Sequence, residues 1–222
     1  EVDGEPAVLL LGSGSTPRRM RGVLVRLVDG RPVVATGELA ELYARVAERL
    51  ELPDGQLNLE GGSRHGDTVR WFNRGNLVAG VFPGSVDVPL AALVDAVLGR
   101  AAAAAVPVEH PRSYDLGQVQ GVGLAVTDAV ALPDGRLLLG AAAEDTPNAV
   151  DDGPVVGAAL ALVADSTVQD VAAVPEVGGG VVKVEGLAVR GVTDGAVDLL
   201  GVVDVDDPTV PSLLLTLRVQ LD

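Results

Sequence analysis

The chain contains no cysteine, which excludes disulfides, thiolate metal sites and cysteine nucleophiles. Aromatic residues are nearly as scarce: Tyr43, Trp71, Phe72, Phe82 and Tyr114 are the only five in 222 residues. The core must therefore be built from Val, Leu and Ala. Only His65 and His110 offer imidazoles for acid–base or metal chemistry near neutral pH. Basic residues number 16 against 31 acids, a formal net charge of −15. That balance argues against nucleic acid and anionic membranes as partners, because phosphate contacts need clustered Lys and Arg. It suits a solvated acidic surface and admits cations. No stretch reads as a bilayer span, since the most apolar one, residues 90–106, carries Asp95 and Arg100. The chain opens without Met and without a signal-peptide pattern. It is expected to be soluble, in the cytoplasm or exported after signal removal.

Glycine (28) and proline (14) are abundant and fall between short apolar runs, the punctuation of an all-β chain. Strand-like runs lie at 7–11, 22–28, 32–35, 57–62, 68–72, 77–82, 123–132, 136–142, 155–163, 181–189, 197–203 and 212–219. The pairs Asp29-Gly30, Gly66-Asp67, Asp134-Gly135 and Asp194-Gly195 supply the positive φ that tight hairpins require. Two segments carry apolar residues at helical spacing instead. One spans 38–50, and the other starts at Pro89, with Asp87 as its cap. The alanine run 101–105 either extends this second helix or starts a loop.

A repeat is the most informative feature. Glu60-Gly61, Asp128-Ala129 and Glu185-Gly186 each place a carboxylate before a tiny residue, then a hairpin, then a polar cluster. Those clusters are Asn73-Arg74-Gly75-Asn76, Glu144-Asp145 and Asp204-Val205-Asp206-Asp207. The carboxylates are 68 and 57 residues apart, close to a propeller blade plus an insertion. In a propeller, a Gly or Ala on an inner strand relieves crowding at the axis, and the acids face the channel rim. The expected fold is one all-β domain over 1–222, a propeller-like array of antiparallel meander blades with two helical insertions. A β-sandwich or open barrel is the alternative.

At these repeats the chain resembles an uncharacterised bacterial family of β-propellers, related in fold to the esterase-like phytase and SdiA-regulated groups. The residues carrying the resemblance include Leu11-Gly12-Ser13-Gly14-Ser15, Asn58-Leu59-Glu60-Gly61, Arg74-Gly75-Asn76, the run 127–135, Ala143-Glu144-Asp145 and Val184-Glu185-Gly186-Leu187. The resemblance implies a family without an established reaction. It also implies that this chain starts partway round, lacking N-terminal blades.

Among candidate chemistries, Gly12-Ser13-Gly14-Ser15-Thr16 with Arg18, Arg19 and Arg21 reads as a turn or an anion nest. Pro17 and the absence of Gly-Lys deny it a nucleotide-binding loop. Gly61-Gly62-Ser63-Arg64-His65 approaches a nucleophile elbow, but His65 stands where the last Gly belongs. The acids are the better candidates. Glu60, Asp128, Glu144, Glu185 and Asp204 are expected to converge and ligate a divalent cation, Ca²⁺ before others. Glu60, Asp128 and Arg74 are the candidate catalytic residues, with Arg74 and Asn76 binding substrate. Two functions follow: a cation-dependent hydrolase of phosphate or carboxylic esters, or a non-catalytic scaffold that binds a ligand or a protein.

Overall fold

The computed structural model describes residues 1–146, 153–193, 195–205 and 209–221. Short apolar runs separated by tight turns have one economical outcome, successive antiparallel hairpins, and the chain forms four such meanders. The first sheet is β1 (Ala7–Leu11), β2 (Arg21–Val28) and β3 (Arg31–Glu38). The second is β4 (Leu59–His65), β5 (Thr68–Asn73), β6 (Gly84–Pro89) and β7 (Glu109–Ser113). The third is β8 (Gln118–Val119), β9 (Val122–Ala131), β10 (Leu137–Glu144), β11 (Val155–Ala164) and β12 (Thr167–Ala173). The fourth is β13 (Lys183–Thr193), β14 (Ala196–Asp204) and β15 (Leu213–Gln220). Neighbours in every sheet are consecutive in sequence and antiparallel. Strand β9 packs against both β4 and β13, so these three strands form the inner side of a propeller-like array.

The two helices, α1 (Ala40–Arg49) and α2 (Leu90–Val97), pack around the first two sheets. Leu42, Tyr43 and Val46 from α1 and Leu93, Val94 and Val97 from α2 share a core with Leu24 and Trp71. Strand β10, Leu-Leu-Leu-Gly-Ala-Ala-Ala-Glu, is buried on both faces. Its small residues suit that squeeze: a Cβ at Gly140 would stand 3.0 Å from Thr127 Oγ1. By contrast, β15 alternates between exposed and half-buried residues, as an outer strand does.

Each inner strand carries a bulge near the same level, and the bulges set the register of the repeat. Glu60 has no partner between Leu59↔Asn73 and Gly61↔Phe72. Glu185 is skipped between Val184↔Val203 and Gly186↔Val202. In β9 the skipped residue is Thr127, between Val126↔Ala141 and Asp128↔Gly140. The equivalent residues are therefore Glu60, Thr127 and Glu185, and Asp128 occupies the position of Gly61 and Gly186. Aligning the three carboxylates from sequence is off by one in the middle copy.

The reading of tiny residues as relief from crowding holds where another sheet follows. A Cβ at Gly61 would lie 3.2 Å from the Asp128 carbonyl carbon and 3.3 Å from Ala129 N, both backbone. At Gly186 the nearest atom is 3.7 Å away, on Val202. Gly61→Ala is expected to cost about 1–3 kcal/mol by overpacking, and Gly186→Ala under about 1 kcal/mol. Urea unfolding of the two variants measures the difference, and equal costs would contradict the close β4–β9 approach.

Local departures from the sequence reading have physical causes. Residues 77–82 form a 3₁₀ turn at Leu77–Ala79, not a strand, because the Asn76 side chain caps it at Val78 N and Ala79 N. Asp87 does not cap α2. It lies in β6, paired in register with Arg70, and the helix starts after Pro89. The alanine run does not extend the helix; it lies in the loop after α2, which contains one 3₁₀ turn at Ala103–Ala105. Strand β7, Glu-His-Pro-Arg-Ser, carries no apolar alternation to announce it.

Candidate functional site

The bulges take Glu60 and Glu185 out of the ladder pairing, and Arg74 and Lys183, at strand ends, link them through Glu144. Arg74 follows β5, is buried, and places Nη1 3.3 Å from Glu60 Oε1 and Nη2 2.7 Å from Glu144 Oε2. Lys183 opens β13, also buried, with Nζ 3.0 Å from Glu144 Oε1 and 2.9 Å from Glu185 Oε1. Glu144, at the end of β10, is thus clamped by one cation from the second sheet and one from the fourth. Asn58 Nδ2 donates to Glu60 Oε1 at 2.7 Å. The result is a chain of alternating charges, Glu60–Arg74–Glu144–Lys183–Glu185, across three sheets.

Burial pushes the Glu60 carboxyl up to about 7; Arg74 and Lys183 oppose that rise, while Glu185 and Glu144 add to it. Burial works against the Lys183 ammonium, yet its bonds to Glu185 and Glu144 prevail and hold it above the usual lysine range. Burial likewise opposes the Arg74 charge, and Glu60 and Glu144 outweigh it. Asp128 stands apart from this chain. Its Oδ2 accepts the Leu187 N–H at 2.7 Å, and burial raises it despite backbone bonds from Leu187 and Ala129.

Of the expected site residues, Glu60, Arg74, Glu144 and Glu185 do come together. Asp128 sits one residue off their level, tied to the β13 backbone. Asp204 is exposed and pairs in register with Lys183. Asn76 Oδ1 is committed to its cap, while its Nδ2 is buried without a hydrogen-bond partner among the described residues. Asp194 of the expected fourth turn, and Asp206 and Asp207 of the last polar cluster, lie outside the described residues. Among the described residues no group of three or more His, Asp or Glu side chains stands in metal-holding geometry.

The other motifs resolve locally. The Gly12–Thr16 loop is a turn, with Gly12 N and Gly14 N donating to the carbonyls of Arg21 and Arg19. Tyr43 Oη donates to the Gly12 carbonyl. The Gly61–His65 segment runs along β4, not through a strand-to-helix elbow, and Ser63 is buried there. His110 Nδ1 lies 3.4 Å from Asp87.

Sequence reasoning missed Lys183. It is the only lysine in a chain that otherwise uses arginine, and that isolation was the available signal. A second network was missed too: Arg70 and Arg112 hold Asp87 at 2.9 and 3.0 Å, and Arg112 reaches Asp165 in the β11–β12 turn at 2.9 Å. Burial alone would raise Asp87, but these two arginines bring it below the usual range.

Beside the inner strands lies a cavity of about 990 Å³ between the first and second sheets. Leu9, Leu24, Val69, Trp71 and Val94 supply apolar walls, and Glu60 and Asp128 lie at its inner-strand side. Fold and geometry together define a propeller-like protein of antiparallel blades, whose second, third and fourth sheets are cross-linked by buried ion pairs. The chain belongs to the Family of unknown function (DUF6910), whose family model matches residues 1–208. No curated protein matches it. A solved structure, of a neuraminidase-like protein from A/bat/Guatemala/164/2009, aligns at 9% identity and a TM-score of 0.35. That alignment covers 88% of this chain and 50% of the other, so the chain spans about half the length of that protein.

Proposed function

We propose that the protein is a non-catalytic binding module that takes a small molecule in the cavity between its first two sheets. The observation that carries this reading is the cavity itself, about 990 Å³ with apolar walls and a few polar groups at one side, which is the usual make-up of a small-molecule site. The neighbouring glutamates support it by what they already do: Arg74 and Lys183 engage them, so they serve as cross-links between sheets.

Trp71 is the only tryptophan and lines the cavity, which makes its emission a direct reporter of occupancy. The uncharged apolar dye N-phenyl-1-naphthylamine is expected to bind one-to-one and quench Trp71. Ala91→Phe, an exposed α2 position on the cavity wall, is expected to weaken that binding at least about tenfold. Absence of saturable binding, or binding indifferent to Ala91→Phe, removes this reading.

The second reading is a Ca²⁺-dependent hydrolase of phosphate or carboxylic esters. What favours it is that Glu60 and Asp128 line one cavity and Arg74 stands beside Glu60. Kinship with the esterase-like phytase group would add to it. Ca²⁺ would have to compete with Arg74 and Lys183 for the same oxygens. Under the binding-module reading, the melting temperature stays unchanged with millimolar Ca²⁺ or with chelator; a rise with Ca²⁺ that Asp128→Asn abolishes favours the hydrolase.

A further inference from the structure

We infer that the cavity selects an organic cation, a molecule with an apolar body and a single ammonium-like head, and that Glu60 gives up a proton as the cation binds. This rests on the binding-module reading and names the class of ligand. The cavity's charged lining is mostly acidic: Glu1, Glu60, Asp67, Asp95 and Asp128 stand against a single arginine, Arg64, with Asp95 also 3.7 Å from Arg100. Arg64 is itself turned aside, with Nε donating to the Gly66 carbonyl at 2.9 Å. Acids in excess over bases beside apolar walls make a negative pocket, which favours cations and disfavours anions of equal size. A purely apolar ligand would use the walls but leave this field unanswered.

Glu60 couples the pocket to protons because of its position. Its Oε1 is held by Asn58 and Arg74, while Oε2 is buried without a hydrogen-bond partner among the described residues. The charged groups around it are Arg74 and Lys183, which favour its ionised form, and Glu144 and Glu185, which oppose it. Asp128 shares the cavity wall but is held by backbone N–H groups. Burial keeps Glu60 half-protonated near pH 7. A cation arriving in the cavity adds a further favourable charge, so it draws the proton off, and by linkage its affinity rises with pH.

The test compares three ligands sharing one body, 4-phenylbutylamine, 4-phenylbutanol and 4-phenylbutyrate, by titration calorimetry between pH 5.5 and 8. The amine is expected to bind roughly tenfold more tightly than the alcohol at pH 8, and the acid more weakly than either. The amine's advantage should shrink at pH 5.5, and calorimetry in buffers of different ionisation enthalpy should show net proton release near pH 7. Glu60→Gln should abolish both the proton release and the pH dependence while still binding the alcohol. If alcohol and amine bind alike at every pH, the charge selectivity is wrong although the cavity site stands. If the neutral dye and all three ligands fail to bind, the site itself is wrong. An amine preference with no proton release would remove the role given to Glu60.

Discussion

Replacing Lys183 by methionine is expected to lower the unfolding free energy by about 3–5 kcal/mol, the range seen when one partner of a buried ion pair is removed. The change leaves Glu144 and Glu185 without the ammonium that lies 3.0 and 2.9 Å from them. Glu144 is the more exposed to this loss in energetic terms, because its side chain is only 1% solvent-accessible. Uncompensated charge, not lost packing, is the cause, since methionine keeps most of the stem. Adding Glu144→Leu to Lys183→Met should therefore recover part of the loss, although it also strips Arg74 of its 2.7 Å partner. Urea unfolding followed by Trp71 emission gives both values. A cost below about 1 kcal/mol for Lys183→Met would place this pair among ordinary surface bridges and undo the cross-linking argument.

The second large effect is a pH dependence of stability. Glu60 has a carboxyl raised from 4.5 to about 7 by folding. The folded state therefore keeps a proton that the unfolded chain releases, and the associated stability is fully present below pH 4.5. It is lost as pH rises through about 7, a change of roughly 3 kcal/mol for a shift of this size. Asp128, also raised by burial, adds to the same slope. Asp87, held below its usual value by Arg70 and Arg112, acts in the opposite sense, and its contribution disappears only in more acidic solution. The two effects thus occupy different pH windows. Glu60→Gln is expected to flatten most of the decline between pH 5 and 8 and to be more stable than the parent at pH 8. An unchanged slope in the variant would show that Glu60 is not the group responsible.

Much of the fold was readable because hairpins leave local signatures. Asp29 and Gly30, at φ 51° and 72°, form the tight positive-φ turn that their sequence predicts. The helices at α1 and α2 followed from apolar spacing, and the three meanders bearing the acids followed from the repeat. What escaped was whatever depends on partners distant in sequence. Strand β7 exists because β6 offers it an edge, not because Glu-His-Pro-Arg-Ser has strand character. Asp87 looks like a helix cap until β5 and β7 bring two arginines onto it. The middle copy of the repeat slipped by one because threonine takes the bulge position there. Its hydroxyl donates to the Val184 carbonyl at 2.6 Å, a role no carboxylate could fill. The site was legible as a set of acids but not as a lattice of alternating charge, since one of its two ordering cations is a lone lysine far along the chain.

That lone lysine makes the protein a chemical gauge of its own opening. Lys183 is the single lysine side chain in the sequence that an amine-acylating reagent could modify, and it is buried. Acylation of Lys183, or cleavage after it by a lysine-specific protease, requires that this end of β13 open and the ammonium leave Glu144 and Glu185. The modification rate at that single position, read by mass spectrometry, would therefore time the opening of this ion-paired corner without any engineered label.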